Sequence, residues 1–224
     1  MLRKLELIVL LLIVTGLVIL NRNLSEIVTS ENVEEDKIVI VLDAGHGGKD
    51  PGKVGINDVL EKDINLQIAV KVKGLLERHG FSVVMTREGD ESLTGSNSTK
   101  RDDMKARVDV INNTKPDIAV SIHQNSYSDS QVSGAQVFYF SGSDEGKLYA
   151  ETIQNELLRF DEENHRQAKA NDNYYLLTNT KVPAVIVECG FLSNYEEAEK
   201  LAKEEYQEEI SNVIVHGIES CFGN

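Results

Sequence analysis

A chain of 224 residues, 41% hydrophobic and 27% charged, has the size and composition of one ordinary α/β core with an appendage, which excludes a disordered or low-complexity protein. Lys plus Arg number 23 against 37 Asp plus Glu, a formal net charge of −14, and the absence of a basic stripe argues against nucleic-acid binding through counterion release. Two cysteines, Cys189 and Cys221, are too few for a disulfide framework.

In chain order, Arg3 and Lys4 precede an uncharged apolar run over residues 7–20. That run has signal-peptide length and is short for a bilayer core of about 30 Å. No Ala-x-Ala pattern follows it, so residues 1–22 read as an export signal that stays as a membrane anchor or is cleaved. The positive charges place the rest of the chain outside. A buried core helix is the lesser alternative, because the run is apolar on every face. Residues 23–36 are polar and read as a linker, and residues 37–224 as the single folded domain.

Within that domain, residues 38–42 are β-branched and apolar throughout, as in a strand buried on both faces. A glycine-rich loop follows, with Gly45, Gly47, Gly48, Gly52 and Gly55. Residues 61–79 are helical in period, with Ile64, Ile68, Val72, Leu75 and Leu76 on one face and Gly80 as the stop. Residues 81–86 predict a strand, 88–99 a loop, 100–113 a helix, and 118–122 and 135–140 two more strands. Residues 144–160 predict a helix, 161–173 a polar loop, 174–177 a short strand and 184–188 a core strand. Asn194 and Glu197 have the spacing of a capping box opening a helix to about residue 203, and a last helix covers 206–221. Strands alternating with helices predict an α/β fold: one domain with a twisted, mostly parallel sheet of about six strands and helices on both faces.

Three runs carry the chemistry: Asp43-Ala44-Gly45-His46-Gly47-Gly48, Ser121-Ile122-His123-Gln124-Asn125 and Ile186-Val187-Glu188-Cys189-Gly190. Each apolar strand delivers a metal-capable or titratable side chain at or just past its end. In parallel sheets the carboxyl ends share one edge, where sites form. Two histidines with a carboxylate from the start of the 61–79 helix make a hydrolytic zinc site with one open position. Either Glu61 or Asp63 fits as that carboxylate, and spacing does not choose between them; either also suits a helix N-terminus electrostatically. Glu188 ends a core strand, where an unpaired carboxylate is costly, and a carboxylate beside a zinc site serves as general base. Asn125 is placed to orient a ligand or substrate, or to make a turn. His79, His165 and His216 fit a helix end, a loop and a lone helical position. Serine catalysis lacks its Gly-x-Ser-x-Gly turn, and the Gly-His-Gly-Gly loop lacks the Gly-Lys-Ser/Thr ending of a phosphate cradle. Cys189 reads as a small buried hydrophobe, although sequence leaves open a histidine partner for it.

On these motifs, together with Glu61-Lys62-Asp63-Ile64-Asn65-Leu66, Thr86-Arg87 and the run from Pro183 to Asn194, the domain resembles the zinc-dependent N-acetylmuramoyl-L-alanine amidases of bacterial cell walls. The resemblance implies one Zn2+ per chain, held by His46, Glu61 and His123, with Glu188 as acid and base, and so prefers Glu61 over Asp63. Its substrate would be peptidoglycan, cut between N-acetylmuramic acid and L-alanine. The bare domain, the apolar N-terminus and the lack of wall-binding repeats resemble the spore-cortex, germination-associated type, which implies a wall or cortex location and a role preceding muramic lactam formation. The absence of binding repeats also leaves room for an activating protein partner. The family often has Leu-Arg where this chain has Leu177-Thr178. Arg166 and Lys169 are candidates to replace that substrate contact, and Arg87 is a further candidate near the site. The rival readings are a zinc peptidase acting on stem peptides and a non-catalytic wall-binding protein.

Overall fold

Alternation along each strand decides which side of the sheet a residue faces, and that alternation sorts this chain's core from its chemistry. The computed structural model describes residues 37–95 and 99–223; the expected signal or anchor (1–22) and linker (23–36) lie outside them. Six strands are found among the described residues: β1 (Val39–Ala44), β2 (Ser82–Met85), β3 (Ile118–Asn125), β4 (Gln136–Tyr139), β5 (Lys169–Ala170) and β6 (Ala184–Phe191). They form one sheet in the order β2-β1-β3-β6-β4-β5. The four strands β2, β1, β3 and β6 run parallel, while β4 pairs antiparallel with β6 and parallel with β5. The sheet is therefore mostly parallel, as the alternating pattern predicts.

The helices are α1 (Glu61–Arg78), α2 (Lys100–Thr114), α3 (Asp144–Phe160), α4 (Tyr175–Asn179), α5 (Tyr195–Leu201) and α6 (Glu204–Cys221). On one face, Ile40, Leu42, Val120, Ile122, Val185 and Val187 pack with the apolar stripes of α1, α3 and α6. In α1 that stripe is Ile64, Ile68, Val72 and Leu76, four residues apart and buried, each contributing roughly 1.5–3 kcal/mol. Gly80, at φ 92°, takes the left-handed turn after the helix that other residues resist. On the opposite face, Val41, Ala119 and Ile186 meet Ile111 of α2 and Leu176 and Leu177 of α4. Asp43, His123 and Glu188 are in step with this second set. Among the described residues no helix is long and apolar enough to cross a membrane.

Four local expectations are corrected. Residues 174–177 form no strand: α4 begins at Tyr175, and helical spacing lets the adjacent Leu176 and Leu177 both be buried, whereas a strand would send one of them outward. The polar stretch 161–173 contains the two-residue edge strand β5. Strands β3 and β6 run three residues past the expected bounds of 122 and 188, so His123 and Glu188 lie inside strands and not at their ends. At α5 the capping box is half made. Asn194 accepts from the amides of Glu196 and Glu197, but the Glu197 carboxylate turns away, accepting from Gly134 N at 2.9 Å and Phe191 N at 2.8 Å. A complete box stands instead at Thr99 and Asp102, opening α2. The loop before β4 is tied to the turn after β6 twice more: Tyr127 N donates to Ser193 Oγ, and Asn194 Nδ2 to Ser130 O, both at 2.9 Å. Both cysteines are free thiols, Cys189 being buried.

Candidate functional site

His46 sits two residues past β1 with φ 62°, a left-handed conformation that few non-glycine residues adopt, histidine among them. Side-chain donors, most of them cations, hold the carbonyls of this loop. Arg107 donates to Ala44 O at 2.7 Å and to His46 O. Arg87 donates to Ala44 O at 2.9 Å and Gly45 O at 3.0 Å. Lys62 reaches Gly48 O at 2.9 Å, and Asn65 adds a bond to Gly45 O at 3.1 Å. The loop has no ladder partner for most of these acceptors, so side chains satisfy them. Gly45 is required for space: a Cβ there would collide with the His123 ring.

Arg107 is itself fully buried and pairs with Asp43 Oδ1 at 2.7 Å and Asp103 Oδ2 at 2.8 Å. Asp43 also accepts from Thr86 Oγ1 and Ser121 Oγ. Burial would raise the Asp43 carboxyl, but the Arg107 guanidinium and the two hydroxyls outweigh it and hold it down at about 2.

Three donor atoms converge above this foundation. Glu61 Oε1 lies 3.2 Å from His46 Nε2 and 2.9 Å from His123 Nδ1. The two rings meet edge to face, with centroids 5.0 Å apart. One ligand atom from each of the three residues falls within 4.8 Å of the others. Two imidazole nitrogens and one carboxylate oxygen are the donor set zinc takes, so these residues fit such an ion. Against the cost of burial, the bonds from His123 and His46 hold the Glu61 carboxyl well below the usual carboxylate range, which keeps it anionic. Glu61 is further fixed by Lys53 N at 2.7 Å and Gln124 N at 3.2 Å. Asp63 is exposed on the other side of the helix turn and takes no part. Behind His46, Asp50 Oδ2 accepts from Nδ1 at 2.8 Å; a carboxylate in that position fixes the ring and its tautomer. Lys100 Nζ lies 2.9 Å from the same oxygen.

Glu188 is the register partner of His123 across β3 and β6. An extra residue in β6 between Glu188 and Phe191 bulges the strand just beyond it, a device that re-aims side chains beside sites. Its side chain is buried, and burial pushes its carboxyl up to about 7, against the pull of His123 and Tyr174. Tyr174 donates its hydroxyl to Glu188 Oε1 at 3.3 Å. Among the described residues no donor reaches the buried Oε2. A carboxyl poised near neutrality can accept and return a proton.

Two clefts meet at His46 and His123. One of about 340 Å³ runs past Glu188, Tyr174 and Asn125; the other, of about 580 Å³, runs past Asp50, Ser92 and Lys100. Asn125, half-buried, lines the first, and its Oδ1 accepts from Ser126 N. Arg87, Arg166 and Lys169 line neither. Arg87 is buried beneath the His46 loop. Arg166 stacks on Phe191 at 4.6 Å and donates to Ser133 O and Gln136 Oε1. Lys169 is exposed on β5. Thr178 turns its hydroxyl back onto the carbonyls of Tyr174 and Tyr175. Asp50, Asn65, Arg107 and Tyr174 were not singled out from sequence. Asp50 four residues after His46, and a polar Asn65 on the apolar side of α1, are the signals that were there to find.

Known proteins resemble this chain in sequence and in fold. The family described as N-acetylmuramoyl-L-alanine amidase matches residues 40–220. A germination-specific N-acetylmuramoyl-L-alanine amidase of Bacillus subtilis is 40% identical over 185 residues, covering 80% of this chain and 78% of the relative. Among solved structures, the CwlD amidase of Clostridioides difficile, in complex with the GerS lipoprotein, superposes with a TM-score of 0.80 at 41% identity, covering 84% of this chain and 99% of that one. The catalytic domain of the amidase CwlV from Bacillus (Paenibacillus) polymyxa var. colistinus gives 0.73 at 33% identity, covering 83% and 98%.

Proposed function

The chain belongs to the N-acetylmuramoyl-L-alanine amidase family, and from that premise we propose that it is a zinc enzyme whose ion is held by His46, Glu61 and His123 and whose proton carrier is Glu188. The observation that carries this reading is the convergence of the three donor atoms on one point, with a buried, near-neutral carboxyl on the neighbouring strand. A zinc ion bound there supplies Lewis-acid polarisation of a carbonyl and of a water. Asp50 holds the His46 ring with Nε2 toward that point. Glu61 would supply the one anionic donor of the set, beside the nitrogens of His46 and His123. The Glu188 carboxylate takes a proton from the attacking water as the water oxygen bonds to the lactyl carbonyl carbon. The carbonyl–nitrogen bond then breaks, and Glu188 returns the proton to the departing alanine nitrogen. The products are a lactyl carboxylate on the glycan and a stem peptide with a free amine.

The finer reading concerns place and partner. Residues 1–22 act as the export signal or anchor and 23–36 as a linker, so that 37–224 works on the wall side of the membrane. Likeness to the germination-specific relative supports a role in the spore cortex, where freeing the lactyl carboxyl precedes lactam closure by another enzyme. The neighbouring amidase solved with a lipoprotein supports an activating protein partner for this chain as well.

Glu188→Gln should keep about one zinc per chain and lose turnover on purified peptidoglycan; normal turnover would remove Glu188 from the reaction. Mass spectrometry of wild-type digests should find new L-alanine amino termini. Release of carboxyl-terminal residues instead would make the protein a peptidase.

A further inference from the structure

Glu188 presents two unlike oxygens. Oε1 accepts the Tyr174 hydroxyl, while Oε2 is buried with no donor among the described residues. The residue paired with Glu188 on β4, Gln136, is not a competitor: its amide nitrogen donates to Gln167 O and its oxygen accepts from Arg166. A glutamate's terminal torsion is broad and weakly held by sterics, so a single hydroxyl can decide how the carboxylate is turned.

Tyr174 is built to stay in place. Its ring packs edge-on against Phe138, centroids 5.6 Å apart at 75°. Its carbonyl accepts from Thr178 Oγ1 at 3.2 Å, so that threonine braces this tyrosine. Burial, with the Glu188 charge adding to it, pushes the phenol well above its ordinary range; the hydroxyl keeps its hydrogen and acts as a donor. Its side chain lines the same cleft as His46, Glu61 and His123.

We propose that Tyr174 is a positioning residue for the amidase reaction: its hydroxyl pins Glu188 Oε1 and thereby fixes the turn of the carboxylate that takes and returns the proton. This rests on the reading of Glu188 as proton carrier. It moves no proton of its own.

The test is Tyr174→Phe in the zinc-loaded full chain, assayed on peptidoglycan beside wild type and Glu188→Gln. The phenylalanine keeps the ring contact with Phe138 and removes only the hydroxyl. Loss of a hydrogen bond to an ionised group predicts a fall in kcat of about tenfold or more, with KM and zinc content unchanged. Wild-type kcat in Tyr174→Phe, with Glu188→Gln inactive, overturns the positioning role and leaves Glu188 standing. A raised KM at normal kcat overturns it as well, since the hydroxyl would then be a substrate contact. Loss of zinc or of folding in Tyr174→Phe overturns it in favour of a structural role. Activity retained in Glu188→Gln defeats the underlying reading itself.

Discussion

The two histidines of the site reach the same point by opposite means. His123 lies within β3, paired with Glu188 on β6 and directly after Ile122, the last β3 residue paired with β1. His46 lies on a loop at positive φ, and its position is set by side chains, with Arg107, Arg87 and Lys62 gripping successive carbonyls and Asp50 holding the ring. The difference teaches where the site is vulnerable. A strand is secured by bonds that every sequence can make, whereas the loop depends on a few named residues. Changes in those residues should move His46 and leave His123 where it is.

The sharpest break is Arg107→Met. Removing one partner of a buried pair leaves Asp43 without its cation, at a cost of roughly 3–5 kcal/mol, and takes the Arg107 donor from the His46 carbonyl, while Ala44 O keeps Arg87. Urea unfolding should show that loss together with weaker zinc retention. Wild-type stability and zinc binding would mean that the loop is held by other donors.

Acid should loosen the same foundation through Asp43. Its folded carboxyl titrates at about 2 against an ordinary value of 3.8. The stability it gives is complete above the ordinary value and is lost as pH falls from about 4 through about 2, a change on the order of 2–3 kcal/mol. Comparing unfolding free energies of wild type and Asp43→Asn across that window isolates the effect. Parallel curves would show that Asp43 does not supply it.

The smallest change aims at the ring alone. Asp50→Ala removes the acceptor at His46 Nδ1 and should weaken zinc binding by roughly 10–100-fold, with little change in melting temperature because Asp50 is partly exposed. Zinc titration with a chelating indicator reads this directly. Unchanged affinity would show that the loop carbonyls orient the ring by themselves.

The strand and helix positions were legible because burial writes a period into the sequence. The 61–79 helix, the strand that leads to His46 and the strands bearing His123 and Glu188 follow from apolar spacing. The meeting of those residues follows from parallel order, and choosing Glu61 over Asp63 needed the family resemblance. Less legible were residues whose tasks depend on distant partners. Arg107 reads as one more charged helical position, and only the fold places Asp43 beside it, 64 residues away. Tyr174 sits in a stretch whose aromatic and leucine content suggests a strand, and its partner Glu188 is on another element. The Asn194–Glu197 spacing invited a local reading, but the carboxylate found better use bridging Gly134 and Phe191.

Glu197 and its neighbours have one more effect. With Tyr127 bonded to Ser193, Asn194 to Ser130 and Gly134 to Glu197, the loop before β4 and the turn after β6 are stitched to one another. In hydrogen exchange the amides of Tyr127 and Gly134 should therefore open together with that of Phe191, which shares the Glu197 carboxylate.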